Sequence, residues 1–184
     1  MIFEATIGNG YLGNIAIDDI LFVRDGTCEY FNSTTTTQST TTLFPPTSYK
    51  CNFETNFCDW YADPSSIAKW TRQSGQNSQY GKAPLNDVTL QSSQGYYAYV
   101  SSNYAGSSTP AVLKSQALGY NQETCLEFWY QLGGPITSGL YVATRNINNR
   151  TQLWQRNGNM ADTWSHGYVK IPSDILDRWV EFEG

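Results

Sequence analysis

The sequence has few charged residues and no surplus of basic ones, and these shortages exclude several kinds of partner. Only 15% of the 184 residues are charged, and the formal net charge is -5. A negative chain gives phosphate backbones and anionic lipid surfaces no electrostatic reason to bind, so we expect no nucleic-acid partner. No run of about 18 apolar residues is present, so we expect no direct membrane insertion by this segment.

The sequence also lacks the common catalytic motifs. The HExxH, GxSxG and phosphate-loop patterns are missing. The single histidine, His166, has no neighbouring motif, and a histidine in that setting is far more often a surface residue than a general base. We therefore expect no catalytic residues in this chain, and we interpret it as a non-enzyme.

Aromatic residues, by contrast, are abundant, with 13 Tyr and 6 Trp, and they favour β-strands over helices. No stretch shows a 3.6-residue period, and several runs are typical of strands: residues 15–23, 96–100, 125–132, 140–143 and 179–183. Alternation in the third run predicts a core-facing side formed by Leu126, Phe128, Tyr130 and Leu132. In the first run it predicts two apolar faces, Ile15, Ile17, Leu21 and Val23 on one and Ala16, Ile20 and Phe22 on the other.

The composition divides the chain into three segments. Residues 29–50 are rich in Ser, Thr and Pro and indicate a linker between residues 1–28 and 51–184. This bias is typical of O-glycosylated stalks, although a flexible spacer without sugars has the same composition. Residues 1–28 hold one apolar strand that cannot be buried alone.

Cysteine usage indicates an oxidising compartment. The four cysteines form an even set without CxxC spacing, which favours disulfides, and residue spacing alone leaves three pairings open. Two sequons, at Asn32 and Asn149, also favour the secretory route and are our candidate glycosylation sites. Because residues 1–4 have no signal-peptide character, we expect the chain to be part of a longer protein.

Several spaced motifs resemble the MAM family, named for meprin, neuropilin and receptor tyrosine phosphatase mu. They are Cys51-Asn52-Phe53-Glu54 through Cys58-Asp59-Trp60, then Trp70, Ala111-Val112-Leu113, Cys125-Leu126-Glu127-Phe128-Trp129-Tyr130 and Phe182-Glu183-Gly184. The family pattern continues into a glycine-rich loop, an Ile-Ala-Ile-Asp-Asp-Ile strand and a last cysteine. In this chain those elements stand at the other end, as residues 8–20 and Cys28, so the order is permuted as if cut from a tandem array.

The resemblance implies an all-β fold, an antiparallel, disulfide-stabilised β-sandwich of the jelly-roll type. Residues 51–184 are the first and central part of a module, and residues 1–28 hold its last strand and cysteine. We expect residues 1–28 to dock into 51–184, within one chain or by exchange between two. The resemblance also implies the disulfides Cys51–Cys58 and Cys28–Cys125.

Four acidic residues match positions that gather around a calcium ion in some MAM modules: Asp18, Asp19, Glu54 and Asp87. Neighbouring carboxylates repel one another unless a cation, a proton or hydrogen bonds neutralise them. The alternative is that these groups accept backbone amides in turns. The family often has Asp-His-Thr where this chain has Asn86-Asp87-Val88-Thr89, which weakens the match at Asp87.

The function implied by the resemblance is an extracellular protein-interaction or adhesion module of a cell-surface or secreted multidomain protein. Its partners would be other extracellular proteins, including further copies of itself. One alternative is a carbohydrate-binding jelly roll; another is an accessory domain of an extracellular metalloprotease. We expect most tryptophans to be core residues, with some available to a sugar: Trp60, Trp70, Trp129, Trp154, Trp164 and Trp179.

Overall fold

Twelve strands are present in the described part of the chain. The computed structural model describes residues 2–6, 14–24, 28, 49–77, 83–101, 110–118, 123–133, 139–145, 149–157, 163–173 and 178–183. The strands are Ile2–Thr6 (β1), Asn14–Arg24 (β2), Tyr49–Cys51 (β3), Tyr61–Ala62 (β4), Thr71–Ser74 (β5), Tyr96–Val100 (β6), Ala111–Leu118 (β7), Thr124–Gly133 (β8), Gly139–Arg145 (β9), Arg150–Asn157 (β10), Ser165–Ile171 (β11) and Arg178–Glu183 (β12). A 3-10 turn, Gly75–Asn77, follows β5.

The strands form two sheets that pack as a sandwich. The first sheet has the order β10-β9-β1-β12-β7-β4, and the second has the order β11-β8-β2-β6-β5, with β3 also paired to β2. The pairings are antiparallel except that of β1 with β12, which is parallel. This architecture confirms the predicted all-β, disulfide-stabilised sandwich.

β2 lies inside the second sheet. It pairs with β8 from Asn14↔Gly133 to Arg24↔Thr124, and with β6 and β3 on its other edge. Burial on both sides agrees with the continuous apolar sequence of this strand, because a central strand has a sheet neighbour on each edge and packing on each face. Residues on both sides of the threonine-rich segment therefore contribute to one sheet.

The predicted alternation along β2 is wrong after Asp18. A register shift between Asp18 and Leu21 marks a β-bulge, and Asp19 has a φ of 46°. One extra residue reverses the side to which later side chains point. As a result the main core takes the four side chains Ile15, Ile17, Ile20 and Phe22.

The core lies between the two sheets and is rich in aromatic rings. The predicted inward face of β8 is confirmed, since Leu126, Phe128, Tyr130 and Leu132 all belong to the main core. The Phe128 and Trp154 ring centroids are 5.2 Å apart in an edge-to-face arrangement, and Phe22 stacks on Trp60 at 5.8 Å. Such pairs each contribute about 1 kcal/mol beyond the area they bury.

Two disulfides cross-link the chain, and the first of them joins residues 1–28 to residues 51–184. Cys28 is bonded to Cys125 across a sequence separation of 97, and Cys51 is bonded to Cys58 across a separation of 7. These are the two pairs that the family resemblance implies. The predicted linker ends too late, because Tyr49 and Lys50 already pair with β2 as part of β3.

Candidate functional site

The four acidic residues singled out in the sequence lie close together around one loop. The bulge in β2 presents Asp18 and Asp19 to residues 83–95, which run over the second sheet between β5 and β6. Glu54, which follows β3, and Asp87, within the loop, complete the group. We call these four residues the carboxylate cluster.

Asp18 is the most deeply buried member, with no exposed surface. Its Oδ1 accepts a hydrogen bond from the N–H of Asp19 at 2.7 Å, and its Oδ2 accepts one from the N–H of Val88 at 2.8 Å. Burial raises the pKa of Asp18 from 3.8 to about 8, even though both N–H groups favour the ionised form. The folded protein therefore holds a proton on Asp18 at neutral pH.

Asp87 organises the loop that carries it. Its Oδ2 accepts a hydrogen bond from the N–H of Leu90 at 2.6 Å, and its Oδ1 accepts one from the N–H of Ser92 at 3.0 Å. The hydroxyl of Thr89 donates to Asp19 at 2.8 Å, and Lys50 pairs with the same carboxylate at 3.1 Å. The cluster thus fixes the loop to β2 at consecutive positions.

Glu54 connects the cluster to the start of β6. Its Oε1 accepts a hydrogen bond from the N–H of Tyr96 at 3.1 Å. Burial and the neighbouring Asp87 carboxylate raise the pKa of Glu54. Arg72 donates to the carbonyl oxygens of Phe53 and Glu54 and lies over the Tyr96 ring at 4.2 Å.

Gly95→Ala is expected to destabilise the fold through this cluster. An added Cβ would stand 2.1 Å from Cγ of Asp87, so the carboxylate would have to leave the N–H groups it holds. We expect a loss of about 1 to 3 kcal/mol in the free energy of unfolding, measured by urea denaturation.

The control for this prediction is the same substitution in an Asp87→Ala background. Without the carboxylate the added methyl group has room, and Gly95→Ala should cost much less there. Equal costs in the two backgrounds would show that Gly95 is needed for another reason.

The cluster has the donor chemistry of a site for a hard cation, but hydrogen bonds already engage it. Carboxylate oxygens are the ligands that Ca²⁺ prefers, and Asp87 acts electrostatically on both Asp18 and Glu54. Within the described ranges, no three acidic, histidine or cysteine side chains stand in a ready metal-binding arrangement. An ion would have to take the place of the proton on Asp18.

A cleft of about 560 Å³ lies beside the anchored loop. Its walls include Asn14 and Gln131 from the sheet, Leu85 and Asn86 from the loop, and the ring of Trp164. The indole N–H of Trp164 donates to the carbonyl oxygen of Asn86 at 2.8 Å, which fixes the ring against the loop. The cleft and the carboxylate cluster therefore share one structural support.

Comparison with known proteins identifies the family of the chain. A family model described as MAM domain, meprin/A5/mu matches residues 51–184. The chain belongs to the MAM family. The matched residues include β4 to β12 and the last residue of β3, so they supply most of the strands of both sheets.

Several curated proteins are similar to this MAM chain. It is 30% identical over 166 residues to "Thyroid hormone-induced protein B" of Xenopus laevis, covering 88% of this chain and 22% of that protein. It is 25% identical over 170 residues to "Neuropilin-1a" of Danio rerio, covering 84% and 18%. For "Neuropilin-2" of Mus musculus the identity is 25% over 141 residues, covering 76% and 14%. The chain thus spans less than a quarter of the length of each relative.

The described tryptophans of the MAM fold differ in burial. Trp60 and Trp70 are buried, and the Trp70 indole N–H donates to the carbonyl oxygen of Ala111 at 3.0 Å. Trp154 packs against the main core and Trp164 against a smaller cluster. Trp129, Trp154 and Trp164 are partly exposed, and the side chain of Trp179 lies outside the described residues. Only Trp164 lines the cleft among the described tryptophans.

His166 lies on the outer face of the second sheet. Its ring centroid is 5.0 Å from that of Trp129 and 6.4 Å from that of Tyr168, and its Nε2 is 3.6 Å from Glu127. These neighbours pack two aromatic rings and one acidic group against the imidazole. The predicted surface position of His166 is confirmed.

Sequence reasoning missed the residues that connect the loop to the sheet. The hydroxyl of Tyr97 donates to the carbonyl oxygen of Pro84 at 2.7 Å, and that of Tyr99 donates to Asn14 at 2.6 Å. In the sequence these tyrosines look like ordinary strand residues. Their role depends on a loop conformation that local patterns do not encode.

In the described part of the chain no helix is long and apolar enough to cross a membrane.

Proposed function

We propose that this chain is an extracellular protein-interaction module that presents the loop of residues 83–95 and the adjoining cleft to its partner. The observation that carries the proposal is the exposure of two large apolar side chains on that loop, Leu85 at 67% and Leu90 at 56%. The carboxylate cluster accepts hydrogen bonds from the N–H groups of Val88, Leu90 and Ser92. On either side of Leu85, the carbonyl oxygens of Pro84 and Asn86 accept hydrogen bonds from Tyr97 and Trp164. Apolar groups held rigidly at a surface lose little entropy on binding, as in interaction hot spots.

The proposed location is outside the cell, as a secreted protein or as the ectodomain of a membrane protein. Two disulfides persist only in an oxidising compartment, and the neuropilin relatives agree with that setting. Asn149 of the second sequon is exposed, which supports glycosylation there, whereas Asn32 lies outside the described residues. Both remain proposed glycosylation sites.

We further propose that residues 1–28 and 51–184 are two parts of one module and that the module is not an enzyme. Support for the first point comes from β2, which pairs with β3, β6 and β8. Support for the second comes from the family, whose members serve as modules of larger proteins. Any catalysis would then belong to another domain of the parent protein.

Calcium is the proposed ligand of the carboxylate cluster. The support is the buried Asp18, whose raised pKa favours a proton, because a divalent ion there would offset the repulsion of Asp87 with Asp18 and with Glu54. Asp19 already has a cation, Lys50, at 3.1 Å, so a calcium ion would compete with Lys50 for this carboxylate. Calcium would bind the loop more tightly to β2.

Leu85→Ser tests the proposed surface. Beads coated with the purified chain, together with a panel of purified ectodomains, report homophilic and heterophilic binding. We expect at least about a tenfold weaker association for Leu85→Ser, because an exposed apolar contact at the interface centre is lost. The fold should be unchanged, since the side chain is largely in solvent.

Ile67→Ser is the matched control for this test. Ile67 is 60% exposed, and its neighbour Ser66 bonds to β7 of the first sheet. Equal loss of binding in the two variants would mean that the loop is not the contact surface. Binding to glycans alone, with no protein partner, would instead favour a carbohydrate-binding module.

One observation favours that second candidate. The described lining of the cleft carries no charged side chain, and it combines the amides of Asn14, Asn86 and Gln131 with the ring of Trp164. Amides and an aromatic face suit a neutral sugar, whose hydroxyls and C–H groups they can contact. Gln131→Ala would then abolish glycan binding, whereas a protein partner that contacts Leu85 would lose little.

A further inference from the structure

Two segments of the chain occupy equivalent places in the first sheet. β1 and β12 run parallel, with Ile2↔Glu181, Phe3↔Phe182 and Glu4↔Glu183 as partners. The two segments also share sequence, because Phe3-Glu4-Ala5 is similar to Phe182-Glu183-Gly184.

Their registers with the neighbouring strands coincide. Leu113 of β7 is the partner of both Phe3 and Phe182. Along β9, Glu181 pairs with Ala143, and the register that sets Ala5 opposite Leu140 would carry Ile2 to the same Ala143. Three separate pairings therefore assign β1 and β12 the same position in the sheet.

A β-strand has two edges, so at any given residue it can pair with at most two neighbouring strands. One edge of β9 pairs with β10, and one edge of β7 pairs with β4 at Lys114 and Leu113. Each strand then has a single edge left, and both β1 and β12 are paired with it. One position between β7 and β9 thus has two candidate occupants.

We propose that this position is a strand-acceptor site for which Ile2–Thr6 and Arg178–Glu183 compete, and that the segment left out pairs with the acceptor site of a second copy of the chain. The proposal is independent of the partner that the exposed loop contacts. A strand with unpaired N–H and C=O groups is a template for pairing. A second copy offers β7 and β9 in the register that the segment already matches.

Proline substitution tests the competition within one chain. Proline cannot donate to a neighbour and disrupts a strand that is paired on both edges. We expect Phe3→Pro and Phe182→Pro each to lower the Tm by less than about 3 °C, because the other segment takes the position. The double variant should lose about 10 °C or more.

Val142→Pro is the control for these variants. Val142 is a buried residue of β9, and no second segment among the described strands takes its place in the sheet, so this single substitution should lower the Tm as much as the double variant. If the Tm of Phe3→Pro or of Phe182→Pro falls as far as that of Val142→Pro, one segment alone occupies the site and the proposal is overturned. Additive losses in the double variant would overturn it as well.

Light scattering tests the second copy. Exchange of a strand between two copies leaves the number of filled acceptor sites unchanged, so it gains little free energy and the dimer should form mainly at high protein concentration. Heating near the Tm and then cooling should also promote the dimer, because it releases the strands that are exchanged. We expect the unmodified chain to show a dimer fraction that rises with concentration, and each single proline variant, which has no usable segment to spare, to lose most of it. A monomer at every concentration, or a dimer that persists in both single variants, would refute pairing with a second copy.

Discussion

Replacing Cys28 and Cys125 together with serine is expected to lower the free energy of unfolding by about 4 kcal/mol. This disulfide closes a sequence separation of 97, and the chain-entropy argument gives about 4.7 kcal/mol for a loop of that size before native strain is subtracted. The bond also holds the end of β2 to β8, where Val23 pairs with Cys125. Without it, the unfolded chain gains freedom on both sides of the linker.

The second disulfide provides a matched comparison. Cys51→Ser with Cys58→Ser removes a loop of separation 7, for which the same argument gives about 2 to 3 kcal/mol. Urea denaturation of the two double variants under identical conditions measures both losses. An equal or larger loss for the short loop would mean that local geometry, and not loop size, determines the stabilisation.

The free energy of unfolding is expected to fall as the pH rises from about 4 to 8 in the presence of a chelator. Asp18 has a pKa of about 8 in the folded protein and an ordinary value of 3.8 when unfolded. Between these values the folded state binds one proton more than the unfolded state, so raising the pH favours unfolding. The slope from one such group is at most about 1.4 kcal/mol per pH unit.

Other shifted carboxyls either act in the same direction or lie outside this window. The raised pKa of Glu54, caused by burial and Asp87, adds to the loss of stability with rising pH. Burial acts against ionisation of Asp63, but hydrogen bonds from Lys114 and Ser65 lower its pKa to about 2. That stabilisation is complete above about pH 4 and disappears only as the pH falls toward 2.

Asp18→Asn is the variant that isolates the effect. It removes the titrating group and keeps an oxygen for the N–H of Asp19, so its stability should depend less steeply on pH than that of the unmodified chain. Its amide group faces the N–H of Val88, which costs about 1 to 3 kcal/mol at all pH values, so the slopes and not the absolute values are compared. Parallel slopes would mean that Asp18 is ionised in the folded protein.

Calcium gives this pH series a second readout. If the ion replaces the proton on Asp18, calcium should raise the Tm more at pH 8 than at pH 5, because binding competes with protonation. A free calcium concentration of a hundred times the dissociation constant stabilises the folded state by about 2.7 kcal/mol. An unchanged Tm at pH 8 would exclude calcium as the ligand and leave the cluster as an anchor for the loop.

Much of the sandwich could be predicted from the sequence because strand patterns are local. Alternation along β8 identified the core-facing Leu126, Phe128, Tyr130 and Leu132, and the continuous apolar run of β2 indicated a central strand. The disulfide pairs could not be chosen from spacing and required the family resemblance. The four acidic residues were named from the same resemblance, and the structure brings all four to one loop.

Composition and periodicity, which are properties of neighbouring residues, were enough to favour strands over helices and to locate five of the twelve described strands, and the spaced motifs identified the family. Only the tertiary structure decided where the alternation of β2 reverses, because the bulge at Asp18 and Asp19 is maintained by hydrogen bonds to residues about seventy positions away. The same applies to the shared position of β1 and β12, which depends on strands that are distant in the sequence. Contacts of that range are set by packing of the whole sandwich, and no local pattern records them.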